Sequence, residues 1–126
     1  MRRIKSRLDI SSEAYRANRA HNEAQVAELK ARQEAARHER PARDRERLAR
    51  QDKLFVRDRI DLLLDPGTPF LELSTLAACQ DYDGEVPGAG IVAGIGIVGG
   101  KEVLVRADDA SIKGGAWYPR SVSKLV

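Results

Sequence analysis

The chain carries one cysteine, Cys79, in 126 residues, so no internal disulfide can form and no thiolate cluster can hold a metal. A lone thiol fits a reducing compartment. A catalytic thiol would need an activating base, and His21 and His38 lie far from it on a polar helical stretch. Cys79 is therefore expected to be a small buried hydrophobe. The two histidines are more than four helical turns apart, so they cannot share a metal as an i, i+4 pair. Aromatic residues make up only 5% of the chain. No aromatic cluster or base-reading motif accompanies the basic residues, which argues against a nucleic-acid partner. No apolar run approaches the ~20 residues that cross a bilayer. The opening MRRIKSRLD is basic but lacks an apolar core, and Asp9 and Glu13 follow too early for an acid-poor transit peptide. The expectation is a cytoplasmic protein with no membrane partner.

The chain is long enough for one domain with a modest core. Charge is plentiful, at 33% of residues, and unevenly placed. Residues 1–59 hold 17 of the 22 Lys and Arg but only 10 of the 19 Asp and Glu, so the second half is net acidic. The basic residues are interleaved with Glu at helical spacing. That pattern describes solvated helix faces.

Ser11 or Ser12 can cap a helix that runs to about Glu39, rich in Ala, Glu, Gln and Arg. Its apolar stripe is thin (Tyr15, Val26, Leu29 and Ala36), and pairs such as Glu28–Arg32 must support it. Such a helix reads as an arm lying on a partner. Pro41 ends the pattern by removing a helix donor. A second helix is predicted from about Arg43 to Leu64, with Leu48, Phe55, Val56, Ile60 and Leu63 on its apolar face. Asp65-Pro66-Gly67 stops it. Phe70, Leu71 and Leu73 then begin an extended segment, with Phe70 packed under the helix.

Asp81, Asp83 and Glu85 alternate before Pro87, but a calcium loop needs a longer pattern that ends in a distal Glu. They read as an acidic surface loop. Gly94 to Gly99 formally satisfies G-x-G-x-x-G, yet a dinucleotide site needs a helix to start inside that motif. Here a strand follows instead. Ile91, Ala93, Ile95 and Ile97 fall on one side of an extended run. A second run, Lys101 to Ala107, sets Val103 and Val105 opposite Leu104. Gly99-Gly100 between them predicts a hairpin with a type I′ turn, which needs φ > 0 at both residues. Beyond it, Asp108 to Gly115 forms a polar, glycine-bearing loop that leads to Pro119, where another helix is expected to open.

The phrases RDRIDLLLDPGTPFLELS, EVPGAGIVAGIG and ADDASIKGGAWYP, in this order, resemble the start of the carboxyltransferase (β) subunit of biotin-dependent acyl-CoA carboxylases. The methylcrotonoyl-CoA and geranyl-CoA branch is the nearest, and Lys113-Gly114-Gly115 followed by aromatics and Pro119 favours it over the propionyl branch. The resemblance implies an α/β fold: a partial crotonase-like (ClpP/crotonase spiral) domain preceded by a helical arm. Residues 1–41 would be the arm and 42–126 the start of the acyl-CoA carboxyltransferase N-terminal domain.

The activity implied is a ligase half-reaction. A carboxyl group passes from carboxybiotin to the γ-carbon of a branched α,β-unsaturated acyl-CoA such as 3-methylcrotonoyl-CoA, in leucine catabolism. Biotin would be carried on a partner α subunit, β subunits would form a homo-oligomer, and no metal is expected in this chain. The step passes through an enolate-like anion, which calls for preorganised N–H donors, and the coenzyme carries several phosphates. Lys113, Gly114 and Gly115, with Ala110 and Ser111 as neighbours, are the candidate coenzyme contacts. The alternative is that the two glycines merely turn the chain toward Pro119. No catalytic residue is assigned, because the family's oxyanion-hole loops lie beyond Val126.

The chain thus reads as an N-terminal fragment or truncated product. Its strands are too few to close a spiral, so Ile91, Ile95, Ile97, Val103 and Val105 are expected to lack covering layers and to promote association. A different class of function also fits: a non-catalytic helical module that docks on a partner subunit.

Overall fold

A computed structural model describes residues 6–126. It divides into two units, one ending at Arg32 and the other running Gln33–Val126. The first long helix, α1 (Glu13–His38), is capped by Ser12, whose Oγ accepts the Tyr15 N–H at 3.2 Å. The expected helix from Arg43 to Leu64 is instead two, α2 (Ala42–Arg50) and α3 (Val56–Leu63). Asp52 takes a left-handed φ of 52°, and the N–H groups of Lys53 and Asp52 return to the carbonyls of Leu48 and Ala49. This pairing is a Schellman stop. Aspartate tolerates the left-handed region better than most residues, and the break lets Leu48 and Val56 both be buried.

Three antiparallel strands follow in the order β1 (Leu71–Leu73), β2 (Ile91–Val98) and β3 (Lys101–Asp108). The hairpin is as expected: Gly99 and Gly100 have φ of 59° and 73°. An unforeseen clamp holds it. The Asp65 carboxylate accepts both glycine N–H groups, at 2.8 and 2.7 Å, while its own N–H donates to Ile97.

The cluster packed by α3 lies on the face opposite Ile91, Ala93, Ile95 and Ile97, although Ile91 and Ala93 are buried too. Val56 and Ile60 of α3 pack on Val92 and Val105, with Phe55, Leu64, Phe70, Val103 and Ala107 around them. Register sets Gly94 opposite Val105 and Gly96 opposite Val103 on this same side. Side chains alternate across a strand, so two glycines occupy the helix-facing side of β2. Phe70 rests on Gly94 and Leu64 on Gly96, closer than any Cβ would permit. Thus Val105 is buried by α3, and Ile91 is buried as well. The exposed residues are on the other face: Leu71, Leu73, Ile95 and Leu104, the last 73% accessible.

Cys79 is exposed rather than buried. It sits in the turns between Ser74 and Asp81, whose Ser74 and Ala78 have positive φ, and this segment turns outward instead of crossing the core. The last helix, α4 (Pro119–Leu125), opens at the expected proline. Buried Ser121 donates to the Ala89 carbonyl at 2.7 Å, and Lys124 Nζ donates to the carbonyls of Gly88 and Ile91.

Two glycine roles should separate on mutation. Gly99→Val meets open space but a forbidden φ, and should cost about 1 kcal/mol or more. Gly94→Ala keeps an ordinary φ but strikes both the Phe70 ring and the Leu71 carbonyl, and should cost about 1–3 kcal/mol. Denaturant melts should show Phe70→Leu partly rescuing Gly94→Ala and leaving Gly99→Val unrelieved.

Candidate functional site at the Asp109–Gly115 loop

β3 ends where its last residues meet α3 and the turn at Pro87–Gly90, and the chain then enters the loop Asp109–Gly115. Asp109 is nearly inaccessible. Its N–H donates to the Gly90 carbonyl at 2.9 Å. One carboxylate oxygen accepts the Ser111 N–H and hydroxyl, at 2.9 and 2.5 Å, and the other accepts Nε and Nη2 of Arg40, at 3.2 and 3.0 Å. Both partners of the ion pair are buried. Arg47 of α2 braces the next residues, donating to the carbonyls of Ser111 at 2.8 Å and Ala110 at 3.4 Å. Arg40 and Arg45 also lie over the Phe55 ring.

The five expected contacts therefore divide. Ser111 is turned inward and engaged by Asp109. Ala110 is half-buried, with its carbonyl taken by Arg47. Lys113 and Gly114 are exposed and Gly115 is half-buried. Gly114 and Gly115 have φ of 74° and 88°, and Lys113 itself has a φ of 43°, where lysine is uncommon. Lys113 Nζ stands 3.6 Å from Glu85 and above the Tyr118 ring. Proximity to Tyr118 first, then to Glu85, raises its pKa above the ordinary lysine value. No hydrogen bond of normal length closes onto the Tyr118 hydroxyl, which is buried and has no partner among the described residues.

A cleft of about 630 Å³ opens beside Lys113, walled by α2 on one side and the turns near Glu85 on the other. Its lining mixes both charges: Glu39, Arg40, Arg43, Asp44, Arg47 and Arg50 on the α2 side, and Asp83, Glu85 and Lys113 on the other. Arg43 and Arg50 have no ion-pair partner among the described residues, whereas Asp44 holds Arg47 at 3.4 Å. The exposed Arg43, Arg50 and Lys113 along this cleft can bind phosphate or carboxylate oxygens. Of the acidic residues, Asp81 is paired with Arg120 at 2.7 Å, and among the described residues no three His, Cys, Asp or Glu converge.

A second buried carboxylate stabilises the opposite edge of this unit. Glu72 of β1 receives a two-pronged contact from Arg57, at 3.0 and 2.9 Å, and a third donor from Arg37. Burial pushes its pKa up, but the arginines, Arg57 foremost, outweigh burial and hold it below the usual carboxylate value. None of these long-range arginine pairs was visible as a motif. The only signal was an excess of Arg in residues 37–57, at helical spacing.

Residues 47–126 match the sequence profile of the Carboxyl transferase domain. The chain belongs to this family. Its relatives include a biotin-dependent 3-methylcrotonyl-coenzyme A carboxylase β1 subunit from Mycobacterium tuberculosis, 50% identical over 79% of this chain and 19% of that protein. The Arabidopsis thaliana mitochondrial methylcrotonoyl-CoA carboxylase β chain is 38% identical over 93% of this chain and 20% of its own length. A rat mitochondrial propionyl-CoA carboxylase β chain is less similar, at 36% over 60% of this chain. Among solved structures, the geranyl-CoA carboxylase β subunit of P. aeruginosa superimposes with a TM-score of 0.77 at 37% identity, covering 95% of this chain and 22% of that one. The chain thus has the partial crotonase-like fold of a carboxyltransferase β subunit and spans about a fifth of the length of these relatives.

Two predictions follow from the electrostatics of this carboxyltransferase unit. Removing one partner of the buried pair, by Arg40→Ala or Asp109→Ala, should cost about 3–5 kcal/mol in denaturant unfolding, because the other charge is stranded. Lys124 is desolvated and its pKa is lowered to about 8 from 10.5. The unfolded chain therefore binds more protons than the folded one between these values, so stability should rise as pH increases from about 8 to 10.5. Lys124→Met should flatten that rise in melts taken across the range.

Proposed function

We propose that this chain is the coenzyme-facing opening segment of a carboxyltransferase β subunit. The parent activity would be transfer of a carboxyl group from carboxybiotin, carried on a partner α subunit, to a branched α,β-unsaturated acyl-CoA of the 3-methylcrotonoyl or geranyl type. On this reading residues 1–41 form the arm and 42–126 begin the catalytic domain. β subunits assemble with one another, and the placement is cytoplasmic, although several relatives are mitochondrial by name.

One observation carries the reading. The loop that the family resemblance points to offers Lys113 to an arginine-lined cleft and Gly114 to solvent beside it, and buried Asp109 together with Arg47 fixes its base. Exposed cations around a loop whose base is locked suit the phosphates of coenzyme A. The left-handed φ of Lys113 supports the same role: residues held in sparsely populated backbone regions cluster at ligand clamps. In this reading Lys113 and the N–H of Gly114 contact the coenzyme, Gly115 borders the contact while its own N–H closes the loop onto the Ile112 carbonyl at 2.8 Å, and Ala110 and Ser111 support the loop from beneath. The chain supplies neither a base nor a complete oxyanion hole.

A specific observation favours a second role for the arm. Val26 and Leu29 of α1 are about half exposed and share a stripe with Tyr15, the pattern of a helix that docks on another polypeptide.

Coenzyme A binding by the 126-residue chain, measured calorimetrically, should weaken for Lys113→Ala, and the difference should shrink as salt is added. Lys113→Gly should weaken binding equally while raising thermal stability, because it relieves the strained φ. Equal affinity of wild type and both variants at every ionic strength would reduce the loop to a turn. Carboxyl transfer to free biotin derivatives should be undetectable with this chain alone.

A further inference from the structure

Glu85 reaches Lys113 from a turn that is held in place by other contacts. The three residues before it, Tyr82, Asp83 and Gly84, take left-handed φ of 54°, 54° and 76°. The Glu85 N–H then closes onto the Tyr82 carbonyl at 2.9 Å. Non-glycine residues keep such conformations only where their surroundings fix them. Here the Tyr82 ring lies 4.9 Å from the Tyr118 ring, and Asp81 pairs with Arg120 at 2.7 Å. Val86, directly after Glu85, is fully buried. The turn is thus pinned on both sides of Glu85, and it brings that carboxylate to 3.6 Å from Lys113 Nζ.

We propose that Glu85 is a built-in competitor for Lys113, holding the ammonium in the free chain until a coenzyme phosphate displaces it. The inference rests on the coenzyme reading of the loop and adds the regulation of that site. Lys113 is the only cation between Asp109 and Gly115, so whatever holds it decides how much positive charge the loop presents. Both side chains of the pair are more than half exposed, and exposed pairs are weak enough to exchange partners. A phosphate monoester brings up to about two negative charges and three acceptor oxygens, against one carboxylate charge. Exchange therefore favours the ligand, while Glu85 subtracts from its affinity.

Asp83 supplies an internal comparison. It stands on the same turn and lines the same cleft, but it has no ion-pair partner among the described residues. Simple repulsion of a phosphate would act from Asp83 as well as from Glu85. Competition for Lys113 acts from Glu85 alone.

Isothermal titration of the 126-residue chain with coenzyme A, run as a double-mutant cycle, tests this. Glu85→Gln removes the charge and keeps the shape, and it should tighten binding about threefold, the scale of an exposed ion pair. In a Lys113→Ala background the same substitution should change affinity little, because no ammonium is left to release. Asp83→Asn should give a smaller gain than Glu85→Gln in the wild-type background. Thermal melts report that each variant is folded. An unchanged affinity for Glu85→Gln, or an equal gain in both backgrounds, would overturn the competitor and leave the coenzyme reading standing wherever Lys113→Ala still weakens binding. Should Lys113→Ala bind coenzyme A as wild type does, the coenzyme reading fails and the competitor fails with it.

Discussion

Asp109 ties together more of this molecule than any other side chain. Its carboxylate gathers two donors from Arg40, just beyond α1, and two from Ser111, while its N–H closes onto Gly90. Four donors on one buried carboxylate satisfy every strong acceptor direction it has. The charge is thereby tolerated in a place where a lone carboxylate would be expelled or neutralised. The consequence is geometric: the end of β3, the turn before β2 and the start of α2 are brought to one point. The outward half of the loop can then be strained at Lys113 without unravelling, because its inward half is locked.

The sheet shows a related economy of shape. Two glycines clear the helix-facing side of β2 so that Phe70 and Leu64 settle directly on the backbone. Close packing of that kind leaves no room for a methyl group, and interiors as dense as organic crystals register such changes. The opposite face keeps Leu71, Leu73, Ile95 and Leu104 in the open. One face of the sheet is thus packed by α3, while the other buries Ile91 and Ala93 and leaves the rest of its apolar side chains open.

What the sequence revealed, it revealed through local chemistry. Gly99-Gly100 declared the hairpin, Ser12 the start of α1, and Pro119 the start of α4, because turns and caps depend on a few adjacent residues. The three family phrases identified the carboxyltransferase lineage and its fold. What stayed hidden depends on partners far along the chain. The inward turn of Ser111 follows from Asp109 and Arg40, 69 residues apart. The choice of sheet face follows from where Phe70 and Leu64 come to rest, so Val105 and Ile91, expected to lack cover, are buried while Ile95 stays exposed. Cys79 reads as buried by residue type, yet it lies on a turn-rich segment that leaves it exposed. The stop at Asp52 was missed for a similar reason. Aspartate carries a weaker left-handed signal than glycine, and the burial of both Leu48 and Val56 accompanies the break.

Charge in the cleft is nearly balanced, with five cations and four carboxylates along its lining. Simple attraction is therefore a poor guide to what binds there, and placement decides. Asp44 and Glu85 engage Arg47 and Lys113 loosely, at distances that a phosphate could better. The central claim is that the Lys113 side of the loop meets the coenzyme while its Asp109 side stays shut. An amide chemical-shift titration of the isotopically labelled chain with coenzyme A tests it most directly. The account predicts perturbations concentrated at Lys113, Gly114 and Gly115 and along the facing side of α2, with Asp109 and Ser111 little changed. Perturbations confined to other elements, or a loop whose Asp109 and Ser111 signals move as far as those of Lys113, would contradict it.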